Sequence, residues 1–240
     1  MRNMMPLLPR SRNTDCFSDT SIRKLQEAML PYRAGADGFL FTEGEPATKA
    51  FYIETGRVNL TKASDDGKEL VFFTFREGDL VGQIEPFRDT RQSFNAKPSD
   101  NSLLGIVDKK DIEALLLRHG DFAVEFMKWM GRMHALTQNH FVDLLHHGNP
   151  GALCSALLRL SNLYGTEHEN GICISEKMAV ADLAAYIGAT GTSASKMLEH
   201  LRQEQIISYE SGYIVLKDLD YLRKGCHCEH CPEPVCRISR

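Results

Sequence analysis

The stretch DFAVEFMKWMGRMHALTQNHFVDLLHH, residues 121–147, decides the fold. Its apolar side chains recur at steps of three or four, as expected for one face of a helix: Phe122, Phe126, Met130, Met133, Thr137, Phe141 and Leu144. At about 1.5 Å per residue such a helix is roughly 40 Å long, so we expect it to join two domains. A second copy of the helix would cover the stripe as a parallel two-helix seam. Packing against its own domain is the alternative.

Composition describes an ordinary soluble protein rather than a basic nucleic-acid binder. The chain has 240 residues, 42% of them hydrophobic, 25% charged, and a net charge of -4. Any interaction with DNA must therefore depend on a local motif. The sequence has no apolar run near 18 residues and no signal-peptide pattern, so we expect a cytoplasmic protein with no membrane contact. No catalytic constellation is present, and we do not expect an enzyme.

Short β-type runs follow the N-terminal region. Residues 1–18 are expected to be a flexible lead, and 20–30 have helical spacing that Pro31 ends. Residues 32–107 contain five or more short apolar runs separated by glycines, which predicts an all-β roll. Asp66-Gly67, between two such runs, is typical of a hairpin turn.

Helical patterns return after the roll. A helix is predicted over 108–117, before the long helix, and another over 152–164. Gly148-Asn149-Pro150 separates the last two, with Asn149 as a helix cap and Pro150 in the first helical position.

Residues 182–201, DLAAYIGATGTSASKMLEHL, have the pattern of a helix-turn-helix. The apolar positions of its two helices are predicted to be buried: Leu183, Ala184, Ile187, Met197, Leu198 and Leu201. Gly188 permits the sharp turn, and Thr190 is the predicted N-cap of the second helix. Met178 stands where a Ser or Thr cap is usual before the first helix. Residues 206–215 predict a hairpin, the wing.

The order of these features resembles the CRP/FNR family of bacterial transcription regulators over nearly the whole chain. The resemblance rests on glycines 44, 56 and 67, the EGDLVG segment ending at Gly82, the long helix and the helix-turn-helix. It implies an α+β fold with a cyclic-nucleotide-binding-like β-roll (19–120), a dimerisation helix (121–147), a winged helix-turn-helix domain (148–224) and a cysteine-rich tail (225–240). It also implies a homodimer that binds a palindromic operator on double-stranded DNA and contacts RNA polymerase.

The resemblance also places the DNA contacts on the second helix of the motif. The family pattern Glu-x-x-Ser-Arg corresponds to Thr192, Ser195 and Lys196, where only the serine matches. Hydroxyls and a lysine can bond phosphates or guanine edges. The predicted DNA-binding residues are therefore Thr190, Thr192, Ser193, Ser195 and Lys196. Because the acceptor carboxylate is missing at position 192, we expect a half-site that differs from the usual one.

The roll lacks the family's cyclic nucleotide signature. Members that bind cyclic AMP have a glutamate and an arginine where this chain has Gln83 and Ser93. Only a rearranged loop would let Arg88 or Arg91 replace the arginine that holds the phosphate. We expect no cyclic nucleotide; an anion held by Arg88 or Arg91 is the rival hypothesis.

Four of the seven cysteines lie in the last sixteen residues, GCHCEHCPEPVCRISR. Cys228, Cys231 and Cys236 have metal-ligand spacing, which suits zinc or an iron–sulfur cluster. On spacing alone zinc is the more common answer, and His227 and His230 add to it. A redox Cys-x-x-Cys pair is a third interpretation, although such a pair normally opens a helix. Cys154 and Cys173 lie on apolar patterns and should be buried.

The arrangement is similar to the Fnr regulators of Bacillus-type bacteria. The neighbouring segments VEFMKWM, VDLLHHGNPGALCSALLRLSNLYG and DYLR take part in the match. The resemblance implies one [4Fe–4S] cluster per subunit, held by Cys228, Cys231, Cys236 and Asp143, with Cys226 as a rival ligand or a bystander. It implies an oxygen-responsive activator of anaerobic genes whose operator binding depends on the intact cluster. The alternative is a CRP-like regulator with a structural zinc tail and a small-molecule effector in the roll.

Overall fold

The computed structural model describes residues 12–35, 38–63, 69–99, 101–146 and 148–228, with the backbone alone for 69–70, 139–146 and 163. Its helices are α1 (Asp19–Glu27), α2 (Lys109–Arg118), α3 (Gly120–His146), α4 (Gly148–Tyr164), α5 (Val180–Tyr186), α6 (Gly191–Gln203) and α7 (Leu219–Gly225). Its strands are β1 (Leu30–Arg33), β2 (Lys49–Thr55), β3 (Arg57–Ala63), β4 (Glu69–Arg76), β5 (Leu80–Val81), β6 (Asn95–Pro98), β7 (Leu103–Asp108), β8 (Gly165–His168), β9 (Gly171–Ile174), β10 (Ile207–Glu210) and β11 (Tyr213–Leu216). The α+β class is confirmed.

Two compact units share these elements. Residues 12–134 form one unit, and the described residues from Ala135 onward belong to the other. The boundary between the units falls inside α3, so this helix contributes residues to both, as the length of its pattern predicts.

The first unit is the predicted β-roll. One sheet has the strand order β1-β7-β2-β5 and the other β4-β3-β6. β3 and β4 pair antiparallel up to Ala63 and Glu69, which confirms the predicted hairpin, although Asp66-Gly67 itself lies outside the described residues. Gly56 has a φ of 96°, and a Cβ added there would clash with the Ser102 side chain, so the turn after β2 requires glycine.

The prediction of a flexible lead is wrong for residues 12–18. Asn13 is 3% exposed and joins the roll through two side-chain bonds: its Nδ2 donates to Leu80 O (2.8 Å), and its Oδ1 accepts from Leu80 N (2.9 Å). Its backbone N–H donates to Asp79 Oδ1 at 2.7 Å. Phe17 packs its ring 5.7 Å from that of Phe122. These partners lie more than sixty residues away, so no local pattern reveals them; residues 1–11 lie outside the described part.

The stripe predicted on α3 is only partly available to a second chain. Phe122 and Phe126 are 0% and 2% exposed and pack with the roll, as does Trp129 at 4%. The alternative of packing against the helix's own domain is thus correct for this half, because the roll supplies the apolar partners. Met130 is 39% exposed, and the side chains of Phe141 and Leu144 lie outside the described residues.

A second apolar stripe on α3 faces solvent in the described chain. Val124 and Met127 are 47% and 62% exposed, and Gly131 and His134 continue the line at steps of four and three. A Cβ at Gly131 would meet nothing within 4 Å. The spacing 124, 127, 131, 134 is that of a coiled-coil seam.

The second unit packs helices against a four-stranded sheet. Its strand order is β10-β11-β9-β8, and the buried face of α4 supplies Leu153, Leu157 and other core residues. α4 begins at Gly148 rather than at residue 152, so Pro150 lies within its first turn, where its missing N–H has no partner to lose. Among the described residues, none of the helices combines the length and apolar character that a membrane span requires.

Candidate DNA-binding surface and cysteine tail

α5 and α6 form the predicted helix-turn-helix. Gly188, at the turn between them, has a φ of 64°, the left-handed conformation for which glycine is suited. The predicted inward positions are buried, apart from Met197, which is partly buried against the same core: Leu183, Ala184, Ile187, Leu198 and Leu201.

The two helices of the motif start differently. Thr190 caps α6, because its side-chain oxygen accepts from the backbone N–H of Ser193 at 3.2 Å, as predicted. α5 has Ala179 as its N-cap and not Met178. The alanine side chain has no oxygen that could cap the helix, but Asp182 Oδ2 accepts from the Ala179 N–H at 3.2 Å. The second helix is therefore better anchored than the first.

An open cleft of about 830 Å³ lies along the exposed face of α6. It brings together three of the predicted DNA-binding residues, Thr192, Ser195 and Lys196, all of them exposed. Thr190 and Ser193 do not line it; they stabilise the start of the helix instead.

Beyond Lys196, three residues later in α6 line the same cleft and were not predicted: Glu199, His200 and Gln203. Their spacing was the available signal, since Glu199 lies four residues after Ser195 and seven after Thr192, on the same helical face. The exposed face of α6 that lines the cleft therefore extends one to two helical turns beyond the residues of the family pattern.

The wing follows α6. β10 and β11 pair from Ile207–Leu216 to Glu210–Tyr213, and the turn residues Ser211 and Gly212 have positive φ angles of 53° and 84°. This confirms the hairpin predicted over 206–215. Sequence analysis missed the neighbouring β8–β9 hairpin, whose strands are only four residues long.

A second concavity, of about 750 Å³, lies between α4, α6 and α7; we call it the α4–α6–α7 groove. Its floor is mainly apolar and its edge carries basic and aromatic side chains: Pro150, Gly151, Leu153, Cys154, Lys196, Met197, His200, Leu201, Tyr221, Lys224 and Gly225. Lys196 and His200 line both the groove and the α6 cleft. A change in the groove can therefore reach side chains on the DNA-facing surface.

The tail thiols that the structure describes have different environments. Cys226 is 5% exposed in the core of the second unit, and its Sγ donates to Arg223 O at 3.6 Å. Cys228, two residues later, is half-buried. Cys154 is 5% exposed, and burial raises the pKa of its thiol to about 11, so it stays protonated at neutral pH.

The predicted ligand set is only partly visible. Cys231 and Cys236 lie outside the described residues, and of Asp143 only the backbone, near the end of α3, is described. Within the described part of the chain no three His, Cys, Asp or Glu side chains come together as a metal site. Both Cys154 and Cys173, the latter 7% exposed, are buried as predicted.

Comparison with known proteins covers both units. The cyclic nucleotide-binding domain family matches residues 32–119, and the Crp-like helix-turn-helix domain family matches 151–224. The Anaerobic regulatory protein of Bacillus subtilis (strain 168) is 35% identical over 232 residues, which cover 96% of this chain and 98% of that protein. The chain belongs to the CRP/FNR family of transcription regulators. Members of this family are DNA-binding regulators and not enzymes.

More distant CRP/FNR relatives share the architecture. The CRP-like cAMP-activated global transcriptional regulator of Mycobacterium tuberculosis is 20% identical over 92% of this chain and 99% of that protein. The solved structure of a CooA mutant from Carboxydothermus hydrogenoformans has a TM-score of 0.71 at 16% identity, covering 89% of this chain and 99% of that one. FixK2 from Bradyrhizobium japonicum has a TM-score of 0.69 at 18% identity, covering 82% and 96%. The fold is therefore that of CRP/FNR regulators.

In the loop of the CRP/FNR roll that would hold a nucleotide, two residues at the positions of the family signature form a hydrogen bond with each other. Gln83 Oε1 accepts from the backbone N–H of Ser93 at 2.5 Å, so the two positions that differ from the family signature bind each other. Arg91 donates to Gly44 O at 2.6 Å, and Arg88 pairs with Glu85 at 3.2 Å on the surface. Both arginines thus have partners within the chain, and the prediction that no cyclic nucleotide binds stays a prediction.

Proposed function

We propose that this CRP/FNR regulator responds to oxygen and binds its operator when a [4Fe–4S] cluster is intact, thereby activating genes of anaerobic metabolism. The observation that carries the proposal is the position of Cys228. It lies three residues after the end of α7, one wall of the α4–α6–α7 groove, and it opens the Cys-x2-Cys-x4-Cys spacing. The 35% identity to the Anaerobic regulatory protein supports the anaerobic role.

Of the proposed ligands, Cys228 is the one whose side chain the structure describes. Cys228, Cys231, Cys236 and Asp143 would hold the cluster, since thiolates are the usual ligands of such clusters. When bound, the cluster would supply a reaction with oxygen that changes how the tail is held. Because a carboxylate is a harder ligand than a thiolate, the iron bound by Asp143 would be more exchangeable than the others. Cys226 is buried in the core, and burial raises the pKa of the Cys154 thiol. Both thiols are therefore poor ligands.

The α4–α6–α7 groove supports a route from the tail to the DNA surface. Pro150 and Gly151, which line the groove, follow Asp143 by seven and eight residues, and Gly225, which also lines it, precedes Cys228 by three. Residues that line the groove are therefore close in sequence to both segments that supply the proposed ligands. Since Lys196 and His200 line it as well as the α6 cleft, cluster assembly can favour one arrangement of the DNA-facing side chains.

We further propose a homodimer that binds a palindromic operator and contacts RNA polymerase. The stripe on α3 that contains Val124, Met127 and Gly131 supports dimerisation through this helix. Two α6 helices about 34 Å apart would then enter successive major grooves on one side of the duplex.

The test is anaerobic purification followed by iron and sulfide analysis and a visible spectrum before and after air. We expect about four iron and four sulfide per chain, following from the proposed cluster type, and operator binding that air abolishes. Cys228→Ala should lose iron and oxygen-sensitive binding. The matched variant Cys226→Ala should keep both, because its thiol faces the protein core.

Two outcomes would contradict the proposal. Colourless protein with one zinc per chain and air-insensitive binding would favour the structural zinc tail. Equal iron loss in Cys226→Ala and Cys228→Ala would contradict the assignment of ligands, provided that circular dichroism shows both variants folded.

A further inference from the structure

Glu199 lies on the exposed face of α6, in line with the residues expected to contact DNA. It lines the α6 cleft together with Thr192, Ser195 and Lys196. At about 1.5 Å per residue it lies roughly 10 Å beyond Thr192 along the helix, well above the 3.4 Å that separates neighbouring base pairs. A recognition helix positioned by Thr192 in the major groove would therefore bring Glu199 to a different base pair.

One oxygen of the Glu199 carboxylate accepts hydrogen bonds from neighbouring side chains, and the other has no such bond among the described residues. Its Oε1 accepts from Arg202 Nη2 at 2.8 Å and from Gln203 Nε2 at 3.1 Å. Its Oε2 accepts no hydrogen bond from the described residues, so it is available to a donor in the cleft. The hydrogen bond from Arg202 lowers the pKa of Glu199, and the group remains an ionised, pure acceptor.

A carboxylate on this surface is unfavourable unless it meets a donor. DNA phosphates repel it, so it contributes nothing to sequence-independent affinity. In the major groove the donors are the amino groups of cytosine N4 and adenine N6, and adenine is bound best by the amide of Asn or Gln. A single open carboxylate oxygen is complementary to cytosine N4.

We propose that Glu199 is a specificity-determining residue that accepts a hydrogen bond from the N4 amino group of a cytosine in each operator half-site. Arg202 and Gln203 position the carboxylate and compensate part of its charge. The acceptor that the family pattern has at position 192, where this chain has threonine, is thus supplied two turns later on the same face.

The rival interpretation is a surface ion pair between Glu199 and Arg202 that affects only overall charge. Both side chains are about half exposed, at 45% and 56%, and such pairs are common on helices without any binding role. The two interpretations differ in what the carboxylate does to base preference.

The experiment first selects the half-site of the full-length protein from randomised duplexes, and then measures Kd for every single-base change. Wild type should prefer cytosine at one position per half-site by about 5- to 150-fold, the range for one good base contact. Glu199→Ala should lose this preference at that position alone while its non-specific affinity rises. Glu199→Gln should shift the preference toward adenine, since an amide pairs with adenine N6 and N7.

Glu204→Ala is the matched control, because Glu204 is an exposed acid at the end of the same helix and does not line the cleft. It should raise affinity slightly and leave every base preference unchanged. If Glu199→Ala behaves like Glu204→Ala, the carboxylate has only an electrostatic effect and the proposal fails. The proposal rests on operator binding by the proposed function, but oxygen dependence tests the cluster and base preference tests Glu199, so each can fail alone.

Discussion

At the scale of single residues, the thiols of the second unit differ in chemistry although their sequence environments look alike. Cys154 and Cys226 belong to the core, whereas Cys228 lies at its edge. A Cβ at Gly225 would lie 2.9 Å from Cys154 Sγ, so any larger residue there would displace the Cys154 side chain where α7 approaches α4. The tail therefore leaves the core from a tightly packed position.

The raised pKa of Cys154 predicts a loss of stability at alkaline pH. The folded thiol titrates at about 11 and the unfolded one at 9.0, so the unfolded chain releases its proton first. The stabilisation is complete below pH 9 and is lost as pH rises toward 11, by on the order of 2 kcal/mol. Urea unfolding followed by circular dichroism should show a shallower decline in Cys154→Ala over this range. Parallel declines in the two proteins would contradict the assignment.

Some residue roles could be predicted and others could not. Thr190 and the buried Cys154 and Cys173 were predictable, because a cap is a local feature and burial follows apolar patterns. The bond between Gln83 and Ser93, and that between Asn13 and Leu80, join distant segments. Glu199 was missed because the family pattern ends before it, although its spacing was visible.

At the scale of secondary structure, α5 lacks a side-chain N-cap, and a single substitution can supply one. The side chain of Ala179 has no oxygen to accept from the first-turn N–H groups, while Asp182 Oδ2 already accepts from the Ala179 N–H. Ala179→Ser would complete a capping box and should raise the free energy of unfolding of the second unit by about 1 kcal/mol. The urea midpoint measured by circular dichroism is the readout.

Ala181→Ser is the control for this prediction, because residue 181 is exposed within the same helix but cannot cap it. It should be neutral or slightly destabilising, as serine is a poorer helix former than alanine. An equal gain from both serines would show that the cap is not the cause.

Long periodic elements were predicted well, and short ones poorly. α3 runs over Gly120–His146 against the predicted 121–147, because its pattern is long and has no proline. β8 and β9 are too short to show a period, and β1 contains Pro31, which is tolerated because β1 is an edge strand of its sheet. The apolar stripe of α3 was identified correctly, but periodicity cannot say that the roll covers its first half.

At the scale of the whole molecule, the solvent-facing stripe of α3 makes a testable prediction about assembly. Burying Met127 against a second α3 should stabilise a dimer by about 1.5–3 kcal/mol per side chain. Met127→Glu should therefore raise the dimer Kd at least about tenfold, measured by sedimentation equilibrium. Lys128→Glu, an exposed change beside the stripe, is the control and should leave the Kd within about threefold. Unchanged association of Met127→Glu would exclude this face.

The architecture of the molecule was predictable from the sequence, whereas which apolar faces of its helices are buried within the chain was not. Glycine spacing, the long helix and the helix-turn-helix identify the fold, since each depends on local geometry. The prediction that Phe122 and Phe126 form the dimer seam was wrong for these two residues, because α3 has two apolar faces. Only the three-dimensional structure shows which of the two faces packs against the roll.

Trp129 is the only indole of the chain, 4% exposed, with its ring 5.3 Å from that of Phe126 in the first unit. Tryptophan emission therefore comes from the first unit, and the unit that carries the helix-turn-helix contributes tyrosine emission but no tryptophan emission. Any change in that emission when a duplex is added would have to originate in altered packing around the roll.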